Sequence, residues 1–136
     1  QRPVSKGLIL IAANIEQLSP YILASSSDLK KISTPAQVPT TWLITASTCT
    51  PEWITGQHDK VAVRITQHTT AKQLCEQLGH PLVSTSANPA GLPPPHYLWS
   101  LRRYFGVTLP AMPGMLEKAG KPSTIRRVGD GTLVRP

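Results

Sequence analysis

Lys60 to Thr66, reading KVAVRIT, limits what this chain can fold into more than any other stretch. Val61, Val63 and Ile65 alternate with Ala62 and Arg64, so a strand here buries one face and carries an arginine in the middle of the other. A guanidinium in mid-strand requires an anion, either a structural ion-pair partner or a ligand. Helical spacing follows at once. Ala71, Leu74, Cys75 and Leu78 repeat along one side of a predicted helix, with Thr70 and Gln73 as a capping box and Gly79 as its stop.

The next segment, PLVSTSANPAGLP at residues 81 to 93, passes from an apolar run into short polar residues and then into Pro89 and Gly91. It predicts a buried strand that carries Ser84, Ser86 and Asn88 out on one face and makes a pocket wall. In open α/β sheets ligands collect at such carboxyl ends. Ser and Asn in these places also close Asx or Ser turns, and that alternative stays open.

Upstream, Leu8 to Ala12 reads as a buried strand, and Asn14 to Ile22 as a short helix with Ile15, Leu18 and Ile22 inward. Residues 24 to 39 read as a solvated connection holding one helical turn, followed by a strand from Thr40 to Ala46. Downstream, Tyr97 to Phe105 reads as a helix with Leu98, Leu101 and Phe105 inward, and the last 14 residues as a hairpin turning at Asp130-Gly131. Strands alternating with helices predict an α/β fold, a twisted mixed sheet with helices packed on it, as a single domain over residues 1–136.

A chain of 136 residues buries roughly two-thirds of its unfolded surface without staples. Cys49 and Cys75 are far apart and read as free thiols of a reducing cytosol, and Cys75 sits on the apolar side of its helix. The longest apolar run, Leu8 to Ala13, is too short for a membrane span or signal core. A net charge of +7 points to polyanionic partners such as nucleotide phosphates or RNA. No hydroxyl or thiol stands beside an evident base, so no catalytic nucleophile is assigned. His58, His68, His80 and His96 read as surface residues.

Several of these segments, in order, resemble the YrdC-like family: RPVSKGLILIA at the start, PTTWLITA at 39 to 46, WITG at 53 to 56, KVAVRITQH at 60 to 68, LVSTSANPAG at 82 to 91, and PSTI with a late arginine at 122 to 135. The likeness is greatest to the family's short, single-domain bacterial form. It implies a twisted mixed α/β sheet, related in outline to a riboflavin-pathway synthase. The implied enzyme is a nucleotidyltransferase that joins ATP, L-threonine and bicarbonate into threonylcarbamoyl-adenylate and releases pyrophosphate. Partner proteins then carry the threonylcarbamoyl group to a tRNA adenosine (t6A37).

The resemblance assigns roles residue by residue. ATP would meet Arg2, the arginine of a Lys-x-Arg motif, together with Lys6, Asn88 and the late Arg135. L-threonine would meet Arg64, Ser86 and Ser123. A guanidinium suits phosphate and carboxylate because it forks two donors onto two oxygens. Lys6 also fits a solvated loop lysine, Ser123 a strand-edge serine and Arg135 a tail charge. The threonine carbamate itself can attack the α-phosphate, so the protein aligns two anions, with Mg²⁺ arriving on the ATP. The implied setting is cytoplasmic, with tRNA or double-stranded RNA as a partner and no membrane.

The chain departs from the family pattern in two places. Gln1 stands where the motif is already under way, so the chain reads as N-terminally incomplete. Ala36, Gln37 and Val38 replace a Pro-Gly pair before the Pro-x-Thr. A rival reading, a non-catalytic RNA-binding module of the same fold, draws on the positive charge but finds few aromatic residues for base stacking. A sugar-phosphate synthase would need clustered acidic ligands, whereas the seven acidic residues are dispersed.

Overall fold

The computed structural model describes residues 7–112, 114 and 123–136. They form a six-stranded mixed sheet in the order β4-β1-β3-β2-β5-β6, built from β1 (Ile9–Ala12), β2 (Thr40–Thr45), β3 (Lys60–Ile65), β4 (Leu82–Ser84), β5 (Thr124–Arg127) and β6 (Leu133–Arg135). β1 runs parallel to β3 and β2 parallel to β5, while β1–β4, β2–β3 and β5–β6 are antiparallel. The predicted α/β sheet is therefore present.

Burial explains the sequence of the central strands. Successive side chains of a strand point to opposite faces, and β1 has both faces covered. Leu10 and Ala12 join the larger core with Leu18, Ile22, Ile32, Ile44, Val61 and Val63. Ile11 turns the other way, onto Cys75 and Ala71. A strand covered on both sides reads as a continuous apolar run. β3 alternates because only its valine face enters the larger core. The Cys75 thiol is buried under the sheet, and that burial pushes its pKa up.

The helices are α1 (Ser26–Ser33), α2 (Glu52–Thr55), α3 (Thr69–Leu78) and α4 (Leu98–Phe105). α1 exceeds the single turn expected in residues 24 to 39. Its cap is a reciprocal pair in which Ser25 Oγ accepts from the Asp28 amide at 3.2 Å and Asp28 Oδ2 accepts from the Ser25 amide at 3.1 Å. The Ser25 hydroxyl and amide, both bonded to the carboxylate, hold Asp28 below its ordinary pKa. Ile32 then anchors the helix in the core.

Residues 14 to 22 correct the reading in the opposite direction. Asn14 Oδ1 accepts from the Gln17 amide at 3.1 Å, as a cap would, but no α-helix follows. The Gln17 amide group is committed elsewhere, accepting from Ala13 N at 3.0 Å and donating to the Cys75 carbonyl at 2.7 Å. Turns and a short 3₁₀ segment at Ser19–Tyr21 result, with Leu18 and Ile22 still buried. The cap of α3 is likewise His68, whose Nδ1 accepts from the Ala71 amide at 3.4 Å, rather than the Thr70–Gln73 pair.

Gly7 allows the chain to enter β1. Its φ is +60°, and a Cβ there would lie 2.9 Å from the Thr55 carbonyl oxygen, so only glycine fits while Leu8 N bonds the Ile54 carbonyl at 2.8 Å. The terminal hairpin turns at Asp130-Gly131 as expected, with Asp130 Oδ1 accepting from Thr132 N at 2.9 Å. Among the described residues no helix is long and apolar enough to cross a membrane.

Candidate active site

β1 and β3 end at the same edge of the sheet, and β2, antiparallel to β3, begins there. A cavity of about 850 Å³ opens at this edge and continues toward Ser84. Arg64, Thr66, Gln67 and His68 come from the end of β3, and Thr40 and Trp42 from the start of β2. The connection at residues 33 to 39, Ser84 at the end of β4, and Pro94 to His96 complete the wall. Among the described residues no Asp or Glu lines it, and its fixed positive charge is Arg64.

The local sequence positions these groups. Arg64 is opposite Ile11 in the β1–β3 register, and its Nε is buried. Strand pairing continues one step, with Thr66 N donating to the Ala12 carbonyl at 2.9 Å, and the buried Thr66 hydroxyl then accepts from His68 N at 3.3 Å. That turn delivers Gln67 and His68 to the cavity while His68 caps α3. Two histidines read as surface residues, His68 and His96, are therefore cavity residues. The signal that could have found them is the rule that ligand sites form where parallel strands end.

The segment after β4 differs from its prediction. The strand stops at Ser84, so the alternation expected to align Ser84, Ser86 and Asn88 does not extend that far. Ser84 lines the cavity, whereas Ser86 is exposed and off its wall. Asn88 closes a turn, its Nδ2 donating to the Leu92 carbonyl at 2.6 Å and the Pro89 carbonyl at 3.3 Å. Its Oδ1 is buried and has no hydrogen-bond partner among the described residues.

Ser123 and Arg135 come together on the other side of β2. The Ser123 hydroxyl shares a buried 2.8 Å hydrogen bond with Thr41, and the Ser123 carbonyl accepts from Arg135 Nη2 at 3.2 Å. Thr41 and Arg64 each stand one residue beyond the paired Trp42 and Val63, so this tie is beside Arg64 in the sheet. Thr41 was not singled out from the sequence, where it is one threonine among many. Arg2 and Lys6 lie outside the described residues. No group of three or more His, Cys, Asp or Glu gathers among the described residues.

A mixed α/β sheet whose strand ends open onto a cavity with Arg64 on its wall, and no acid among its described residues, has the form of an α/β ligand-binding domain. The chain belongs to the Sua5–YciO–YrdC family, whose model, described as "Telomere recombination", matches residues 1–136. A relative named threonylcarbamoyl-AMP synthase in Cellvibrio japonicus is 45% identical over 139 residues, covering 100% of this chain and 73% of the relative. The protein of the same name from Escherichia coli is also 45% identical, over 138 residues, covering 99% of this chain and 73% of that protein. Among solved structures, P. abyssi Sua5 complexed with L-threonine matches with a TM-score of 0.86 at 28% identity, covering 99% of this chain and 41% of that one. E. coli YciO shares the fold, with a TM-score of 0.72 at 19% identity, covering 98% of this chain and 66% of that one.

Proposed function

We propose that this chain is a threonylcarbamoyl-AMP synthase, a nucleotidyltransferase that uses ATP, L-threonine and bicarbonate to supply tRNA modification. The observation that carries the reading is Arg64 on a cavity wall with no acid among its described residues, in a chain 45% identical to proteins of that name. A planar guanidinium fixed by strand pairing on both sides is suited to a carboxylate, and here it would hold that of threonine. Ser86 and Ser123 are the further threonine contacts of this reading, and Arg2, Lys6, Asn88 and Arg135 those for ATP.

The chemistry asks little of the protein beyond alignment. The amino group of threonine and bicarbonate give a carbamate with loss of water, an oxygen of that carbamate attacks the α-phosphorus of ATP, and pyrophosphate leaves with the electron pair of the broken P–O bond. Holding the carbamate in line supplies the proximity term, and cationic groups offset the gathering negative charge. Mg²⁺ enters with the triphosphate as part of the substrate and shields its charge. Cytoplasmic residence and transfer proteins that deliver the product to tRNA belong to the same reading. The non-catalytic RNA-binding alternative does not account for the cavity.

The test is pyrophosphate release by the chain with ATP, L-threonine and bicarbonate, each omitted in turn. Release that needs all three, and is lost in Arg64→Ala, supports the proposal. Release that continues without threonine overturns it.

A further inference from the structure

Thr41 is fully buried, Ser123 is 7% exposed, and their hydroxyl oxygens stand 2.8 Å apart. Thr41 is a rigid anchor. Branching at Cβ stiffens its χ1, and β2 is paired with β3 on one side and β5 on the other. The backbone of Ser123 is pinned as well. Its carbonyl accepts from Arg135 Nη2 at 3.2 Å, and the next amide, Thr124 N, donates to the Pro39 carbonyl at 3.1 Å. What Thr41 adds is the setting of the Ser123 side chain.

A count of protons gives that bond a direction. Each hydroxyl has one proton to donate and lone pairs to accept with, and among the described residues their shared bond is the hydrogen bond of both. If Ser123 were the donor, the proton of the fully buried Thr41 would have no acceptor, which a folded interior rarely tolerates. Thr41 therefore donates. The Ser123 proton, on the partner that keeps some exposure, is left for a ligand. Continued past Trp42 and Val63, the β2–β3 register sets Thr41 opposite Arg64, and side chains opposite one another in an antiparallel pair share a face. We infer that Thr41 is a positioning residue: it fixes Ser123 as a hydrogen-bond donor toward the anion that Arg64 neutralises. That anion is the carboxylate of L-threonine, an identity that rests on the proposed function. An ionised carboxylate only accepts hydrogen bonds, so a Ser123 turned the other way would present lone pairs to it and repel it.

The experiment titrates the full chain and its variants with L-threonine by calorimetry, well below their melting temperatures. Thr41→Val keeps the shape of the side chain and deletes the donor, so L-threonine should bind about three- to tenfold more weakly, while the ATP titration should match the wild type. Thr41→Ser, which keeps the donor, should recover most of the loss. Ser123→Ala should weaken L-threonine binding by at least as much as Thr41→Val. The double variant should bind L-threonine as Ser123→Ala does, because Thr41 reaches the ligand only through Ser123. A Thr41→Val protein that melts lower yet binds L-threonine like the wild type overturns the inference by making Thr41 purely structural. A double variant whose loss is the product of the two single losses also overturns it. A wild type that binds L-threonine with this pattern among the variants but releases no pyrophosphate overturns the proposed function and leaves the positioning role standing. A wild type that binds no L-threonine overturns both.

Discussion

β3 and the segment from Leu82 to Asn88 look alike as sequence, since each mixes apolar and polar residues and each promises polar groups on one face. The structure treats them differently. β3 is paired on both sides, by β1 and β2, so its alternation persists over six residues and places Arg64 on the cavity wall. The Leu82–Asn88 segment begins as an edge strand paired with β1 alone, and it leaves the sheet after three residues. Beyond Ser84 no ladder holds the backbone, and local turn chemistry at Asn88 takes over. A period-two pattern specifies orientation only as far as strand pairing enforces it.

The largest expected contrast comes from making one substitution in both regions. Val63→Ala removes two fully buried methyls and leaves a hole, so chemical denaturation should report a loss of about 2 to 3 kcal/mol. Val83→Ala, at a side chain 43% exposed, should cost less than about 0.5 kcal/mol. Equal losses would mean that β4 is as firmly held as β3.

Thr41→Val tests the tie on the far side of β2. Deleting the hydroxyl leaves the buried Ser123 oxygen unsatisfied and should cost about 1 to 3 kcal/mol, with Thr41→Ser close to wild type. Similar losses in both variants would assign the cost to packing.

Arg64→Lys keeps the charge and loses the fork, so calorimetry should show L-threonine binding about tenfold weaker at an unchanged melting temperature. A lower melting temperature with intact threonine binding would make Arg64 a structural residue. For Asn88→Ala we expect ATP binding about fivefold weaker and faster hydrogen exchange across 88 to 92. Faster exchange with unchanged ATP affinity would leave Asn88 only as the closure of its turn.

The smallest effect concerns α1. Asp28 has a folded pKa below its ordinary value, so its contribution is complete above that ordinary value and is lost as pH falls through the depressed one. In Ser25→Ala the cap should titrate nearer the ordinary value, which the pH dependence of the Leu29 amide resonance would show.

Legibility followed the same boundary. β2, β3, α3 and the terminal hairpin could be read because periodicity, a stop glycine and an Asp-Gly turn all act locally. α1 is longer than the one turn expected, although Ser25 and Asp28 carry a cap signal, and the helix expected at 14 to 22 gives way because Gln17 bonds across to Cys75. α4 was found, but Leu98 and Phe105 are exposed rather than inward. Periodicity defines an apolar side of a helix without saying what will cover it. Within the site, Arg64 could be read because a mid-strand guanidinium needs an anion, while Thr41 carried no signal and His68 only its place just past a strand end.

By itself the sequence determined the α/β class, the central strands, the place of Arg64 and the order of segments that marks the family. These depend on side-chain period, backbone preference and residue order, all of which are written along the chain. Only the tertiary structure decided that His68 and His96 share a cavity with Arg64, that Thr41 holds Ser123, and that Asn88 turns back to Leu92. Each of those depends on where distant strands stop, and a strand stops where its neighbour no longer offers it hydrogen bonds.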